Sequence, residues 1–311
     1  MRIALVDPSR TTRTVLTQTL EARGHTTVPC ADGANALSVL ATDPEVSGLI
    51  TATELQSMSG AKLCWEARLL AGPQRPLYIL LMSSNSERDD LIRALDCGAD
   101  DFITKPTISE ELYARLRTGE RTVGMQNELI RLALTDPLTG LLNRRGFFEK
   151  ATNACEKLND GATLSAVLLD IDDFKEVNDL YGHHIGDLAI QALAHATMGE
   201  QLMAGRLGGD EFCVVLPKCA LPEARLFAET LRRRFEGLQL KTPDGNVRLT
   251  CSVGVAEFQA GDTVDALIAR TDAALYAAKR NGRNRVEVPP HQNWLLDNPR
   301  KGTITARAQT R

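Results

Sequence analysis

The sequence lacks three features, and each absence excludes a class of protein. No apolar run approaches the roughly 18 residues of a membrane span; the longest notable one, Leu77 to Met82, has the length of a strand. The opening MRIALVDPSR reaches Asp7 too soon to hold the apolar core of a secretion signal. No basic excess exists: 36 Lys and Arg stand against 40 Asp and Glu, a formal charge of −4, which argues against gripping a nucleic-acid backbone. The seven cysteines are odd in number and form no C-x-x-C, so neither a disulfide frame nor a zinc site is indicated. What remains is a cytoplasmic protein with reduced thiols and neither membrane nor nucleic acid as a partner.

At 311 residues the chain has room for two domains, each able to bury its own core. Residues 1–107 alternate short apolar runs with helical patterns. Strands are expected at Arg2–Val6, Thr26–Val28, Gly48–Ala52, Leu77–Met82 and Asp101–Thr104. Helices are expected at Ser9–Arg23, Gly33–Ala41, Gly60–Leu70 and Ser86–Cys97. Five strands separated by helices predict an α/β fold with a doubly wound parallel sheet, whose ligands sit at the carboxyl ends of the strands. Asp7, Ala52, Glu54, Ser83 and Lys105 fall at such ends.

Residues 108–134 predict one long helix, a connector or dimer stalk, with apolar residues at 108, 112, 116, 123, 130 and 134. Gly119 and Gln126 interrupt that seam, so a coiled coil there is weak. A second α/β domain is expected over 135–288. It has a strand at Leu164–Leu169, a hairpin around Gly208-Gly209-Asp210-Glu211, a longer strand with two glycine-like breaks at Val247–Ala256, and helices at 144–158, 172–180, 185–198, 222–236 and 262–280. The tail 289–311, with paired prolines and little periodicity, is expected to be disordered.

The acids of the second domain carry the chemistry. Leu164–Leu169 delivers Asp170 at a strand end, followed by Asp172 and Asp173, and the hairpin places Asp210 and Glu211 at its tip. Carboxylates clustered without evident basic partners repel, so they need a cation or raised pKa values. Hard oxygen ligands completed by water and phosphate oxygens describe a magnesium site.

GGDEF at 208–212 follows DIDDFK at 170–175, NDLYGH at 178–183 and Gly186-Asp187. DPLTGLLNRR at 136–145 precedes them and LYAAKRNGRNR at 275–285 closes the set. Over roughly 155 residues this resembles the GGDEF family of diguanylate cyclases. The resemblance implies a cyclase-like fold with GTP at the hairpin, acting as a homodimer in which each domain contributes one GTP to cyclic di-GMP, with release of pyrophosphate. It places Mg2+, or Mn2+ in its stead, on Asp170, the carbonyl of Ile171, Asp210 and Glu211. Glu211 becomes the general base or a metal ligand, and Lys175 the stabiliser of charge on the reacting phosphate. Asp173 and Phe174 cradle phosphates, Asn178 and Asp187 read guanine, and His183 lies near the nucleotide. Lys279 and Arg283, spaced i, i+4, converge on the terminal phosphates. The rival reading is a GTP-binding scaffold without turnover. The family's inhibitory product site, Arg-x-x-Asp, is absent: its register falls on Gly199-Glu200-Gln201-Leu202.

The first domain resembles a response-regulator receiver through Val6-Asp7, Ser83, the CGADDF run at 97–102 and Lys105-Pro106. Registered on Met58-Ser59-Gly60, the phosphoacceptor position falls on Ala52, and Pro8 replaces the second acid. A methyl group cannot accept phosphate, so the resemblance implies a degenerate receiver that dimerises or docks a signalling protein. Glu54 is the one nearby acid, either a charge mimic or a solvated loop residue.

Overall fold

The computed structural model describes residues 1–84, 96–105, 109–158, 162–199, 202–242 and 245–290. The chain forms two compact units, one ending at Arg131 and the other starting at Leu132.

The first unit runs β1 (Arg2–Val6), α1 (Arg10–Glu21), β2 (Thr26–Cys30), α2 (Gly33–Thr42), β3 (Val46–Ala52), α3 (Gly60–Ala71), β4 (Tyr78–Ser83), β5 (Asp101–Thr104) and α4 (Ser109–Leu134). Its five strands pair in parallel in the order β2-β1-β3-β4-β5, the doubly wound sheet expected. β1 and β4 are apolar almost throughout because helices cover both faces of a parallel sheet. Ala4, Val6, Leu49 and Ile79 pack under α2 and α3, while Ile3, Leu5, Ile50 and Leu80 pack with α1 and α4. Ser9 caps α1, its side chain accepting from the Thr12 amide. The helix expected over Ser86–Cys97 lies outside the described residues except at its last two.

α4 departs from a simple connector. Leu112, Leu116 and Val123 of the expected seam are buried in the first unit's own core, beside Leu16, Leu20 and Tyr78. Gly119 has a structural reason: a Cβ there would lie 2.4 Å from the Tyr78 ring. The glycine that weakens a coiled coil is the residue that lets the helix seat on β4. Past Val123, a stripe of Met125, Leu129 and Leu132 is exposed.

The second unit runs β6 (Leu142–Asn143), α5 (Arg144–Glu156), β7 (Leu164–Ile171), α6 (Phe174–Tyr181), α7 (His183–Thr197), β8 (Met203–Gly208), β9 (Glu211–Pro217), α8 (Leu221–Glu236), β10 (Leu240–Thr242), β11 (Gly245–Val247), β12 (Cys251–Glu257), α9 (Val264–Arg280) and β13 (Val286–Glu287). Six strands order as β13-β12-β7-β9-β8-β6, with β7 antiparallel to both β12 and β9. One strand with two breaks was expected over Val247–Ala256; the structure divides it between two sheets. Val247 pairs with Leu240 in a separate hairpin, and Thr250 turns its carbonyl and hydroxyl onto Asp172. β12 then begins at Cys251 and lies so close under α9 that a Cβ on Gly254 would stand 2.2 Å from the Thr271 carbonyl oxygen. Residues 291–311, most of the expected disordered tail, lie outside the described set.

Candidate active site

The carboxyl end of β7 is the centre of the site. The sheet register sets Asp170 opposite Glu211 on one side and Ser252 on the other. Asp170 is 7% exposed, and its Oδ2 lies 2.7 Å from Lys279 Nζ at the end of α9. Asp210 occupies the turn between β8 and β9, where Gly209 adopts φ 49°. Burial, then the neighbouring Asp170 charge, pushes the Asp210 carboxyl up to about 6. Burial also raises Asp170, against the opposing pull of Lys279. A buried and a half-buried carboxylate that repel one another form a donor set suited to a hard cation, with Ile171 beside them in the wall of the same cleft. Among the described residues no three His, Cys, Asp or Glu side chains gather at metal-binding spacing. A divalent ion held here would rely on two carboxylates, backbone oxygen and oxygens from outside the protein.

A cleft of about 560 Å³ opens beside these acids. Its wall includes Asp170, Ile171, Asp173, Phe174, Lys175, Asn178, His183, Asp210, Lys279 and Arg283, all predicted from the sequence, together with Asp172 and Asp179. Glu211 and Asp187 lie outside that wall; Asp187 is exposed on α7. Asn178 owes its place to Gly186, because a Cβ at 186 would come within 2.0 Å of Asn178 Oδ1.

Two sequence expectations are corrected. The acids do have basic partners: Lys279 pairs with Asp170, and Arg283 Nε lies 3.2 Å from Asp173 Oδ1. These pairs join residues about a hundred apart, which no local pattern reveals. Lys279 and Arg283 are also not on successive turns of one helix. α9 stops at Arg280; Gly282 takes φ 112° and Arg283 φ 59°, so Arg283 reaches the cleft from a reversing turn.

The sequence reading gave no role to Asp136 or Arg206. Arg206 Nη1 donates to both Asp136 carboxylate oxygens, at 3.2 and 3.1 Å, and its Nε donates to the Gly209 carbonyl at 2.8 Å. The 136–145 segment is thereby tied to the hairpin turn that carries Asp210. Asp136 opens one of the quoted motifs, and that was the available signal; the separation of 70 residues from Arg206 hid the contact.

In the first unit, Asp7, Ala52 and Ser83 are buried at the ends of β1, β3 and β4, and Lys105 follows β5. Lys105 Nζ is ion-paired with Asp7, whose other oxygen accepts from the Ser9 amide at 2.8 Å. Arg13 donates to the carbonyls of Asp7 and Pro8. Glu54 is exposed, in a backbone bridge with Ser59. Gly60 approaches the Ala52 carbonyl so closely that a Cβ would lie 2.1 Å from it, which fixes Ala52 against that loop.

Residues 133–285 match the diguanylate cyclase GGDEF domain. The solved coiled coil and GGDEF domain of DgcB from Caulobacter crescentus, in complex with c-di-GMP, is 34% identical; the match covers 97% of that chain and 58% of this one, with a TM-score of 0.54. The chain belongs to the GGDEF family. Ahead of its GGDEF domain, residues 3–117 match the response regulator receiver domain, a match that ends inside α4. Response regulator PleD of Caulobacter vibrioides is 36% identical over 226 residues, 68% of this chain and 50% of PleD. Diguanylate cyclase VdcA of Vibrio cholerae is 41% identical over 160 residues, 50% of this chain and 46% of VdcA. The chain spans about half the length of the curated relatives it matches. Among the described residues no helix of this GGDEF protein is long and apolar enough to cross a membrane.

Proposed function

We propose that this chain is a cytoplasmic diguanylate cyclase that condenses two GTP into cyclic di-GMP and releases pyrophosphate. The observation that carries the reading is the cleft itself, in which paired carboxylates, Lys175, Lys279, Arg283 and Asn178 face one cavity of nucleotide size. Lys279 and Arg283 bind the phosphate tail, and the turn at Asp173 and Phe174 cradles it. Magnesium, or manganese, held by Asp170, Asp210 and the Ile171 carbonyl, supplies positive charge to the polyphosphate when bound. Glu211, the first residue after the hairpin turn, takes the proton of the attacking 3′-hydroxyl, and Lys175 balances charge on the reacting phosphate. One GTP attacks another, so two chains must meet. The exposed stripe Met125, Leu129 and Leu132 on α4 supports a helix-mediated pair. Incubating the protein with GTP and magnesium and resolving the nucleotides by chromatography tests the reading; intact GTP after prolonged incubation rejects it in favour of a silent GTP-binding scaffold.

Base selection is assigned to Asn178 and Asp187, since a carboxylate accepts from guanine N1–H and N2–H and finds nothing comparable on adenine. Asp187→Ala is expected to weaken GTP affinity by about tenfold, the cost of a guanine donor left unpaired. Calorimetric titration checks this, and unchanged affinity removes Asp187 from guanine recognition.

The receiver is proposed to act without phosphorylation, through dimerisation or a docked signalling protein. Ala52 offers a methyl where an aspartyl phosphate needs a carboxylate, and Lys105 is engaged by Asp7. Acetyl phosphate with magnesium is expected to leave intact mass, oligomeric state and initial rate unchanged. A gain of one phosphoryl group with faster turnover overturns this proposal and directs attention to Glu54 or Asp7.

A further inference from the structure

We infer that Asp172, Asn284 and Arg232 are positioning residues that hold the phosphate end of the cleft in shape. The inference rests on the GTP reading above and adds residues whose polar groups are turned onto the protein.

Asp172 is 7% exposed, and a charge so buried needs matched partners. Ser252 Oγ donates to its Oδ1 at 2.6 Å; Thr250 Oγ1 and the Asn284 amide donate to Oδ2 at 2.7 and 3.0 Å. The chain on either side of this carboxylate is strained. Asp173, the next residue, has φ 53° and begins α6; Arg283 and Asn284, which follow α9, have φ 59° and 47°. Non-glycine residues persist in the left-handed region when surrounding contacts over-determine them. Asn284 is held from three directions. Its backbone N–H donates to Asp172, its Oδ1 accepts from Arg232 Nη1, and its Nδ2 donates to Glu236 Oε1 at 2.8 Å. Arg232 cannot drift, because its side chain is nine-tenths buried and gripped by Glu229 and Glu236 on α8.

One carboxylate thus joins two turns that converge on the cleft. The first presents Asp173 and Phe174, the second presents Arg283, and the two touch through the Arg283–Asp173 pair. α8 anchors this assembly from behind, through Arg232. Breaking the Asp172–Asn284–Arg232 chain frees the Arg283 turn to relax toward ordinary backbone angles and carries its guanidinium away from the phosphates. The base-reading side chains, Asn178 on α6 and Asp187 on α7, take no part in these hydrogen bonds.

The test uses the full chain with magnesium and two probes: 3′-deoxyguanosine triphosphate, which lacks the attacking hydroxyl, and guanosine monophosphate. Asn284→Ala is expected to weaken triphosphate binding about tenfold or more, as loss of oriented charge-assisted hydrogen bonds does, and to leave monophosphate binding within about twofold. Asp172→Asn retains an acceptor for the Asn284 amide and is expected to keep more of the triphosphate preference than Asp172→Ala. Equal weakening of both probes, or of neither, in a folded Asn284→Ala protein overturns the inference. If that variant does not fold, Arg232→Lys, which keeps the charge and loses the planar fork, is judged by the same ratio. A wild-type protein without triphosphate preference sinks the GTP reading; a wild-type preference that the variants share sinks this inference alone.

Discussion

Glu211→Gln is expected to lower turnover by about three orders of magnitude while GTP still binds, as removal of a general base does. The substitution keeps the shape and hydrogen-bonding length of the side chain and removes its capacity to take a proton. Glu211 opens β9, immediately after the turn that carries Asp210, and the register sets it opposite Asp170. It is half-buried and outside the wall of the cleft, so a shape-conserving change there leaves the phosphate and base contacts in place. Single-turnover rates and nucleotide titrations on the same sample separate the two effects. Near-normal turnover would remove Glu211 from the chemistry and shift the role of base to Asp210, whose raised carboxyl is the next proton acceptor in reach.

Gly254→Ala is expected to destabilise the GGDEF domain by about 3 kcal/mol, at the upper end of what overpacking costs. The added methyl would stand 2.2 Å from the Thr271 carbonyl oxygen and 2.4 Å from the Leu275 amide nitrogen. Both are helix backbone, so no side chain can rotate away; α9 must lift from β12. Because α9 carries Lys279, activity falls together with stability. Gly124→Ala is the counterpart. It sits in α4 with no atom within 4 Å of the added Cβ, and the helix is expected to gain about 0.5–1 kcal/mol. Urea unfolding of the two variants distinguishes a glycine required by packing from one that is not, and equal effects would refute the contact argument.

Much of the site was legible because its residues are consecutive. Asp170 to Lys175 pass from a buried strand into a helix, and the apolar run followed by acids announces that passage. The five receiver strands were legible for a similar reason, since a strand buried on both faces reads as an unbroken apolar run. What escaped was long-range. Apolar spacing on α4 marks a buried stripe without saying what buries it, and Tyr78 took the place of a second helix. The run from Val247 to Ala256 reads as a single interrupted strand, yet Thr250 is diverted to a charge 78 residues away. Asp172 resembles its acidic neighbours in sequence; three donors from elsewhere in the chain make it a strut. The left-handed turn at Arg283 had a signal in Asn281-Gly282, a helix-ending pair that the i, i+4 spacing of Lys279 and Arg283 passed over.

Ala52 has a consequence for how signals last. A receiver with an acyl phosphate keeps a record of its stimulus until that bond hydrolyses, so its output trails the input by the lifetime of the phosphoryl group. Here the strand ends in a buried methyl, and the ammonium that would read a phosphoryl group is satisfied by Asp7. If it acts without phosphorylation, as proposed, such a receiver would have no memory. Whatever engages its surface would act only while attached, and the response would decay at the rate at which that partner leaves.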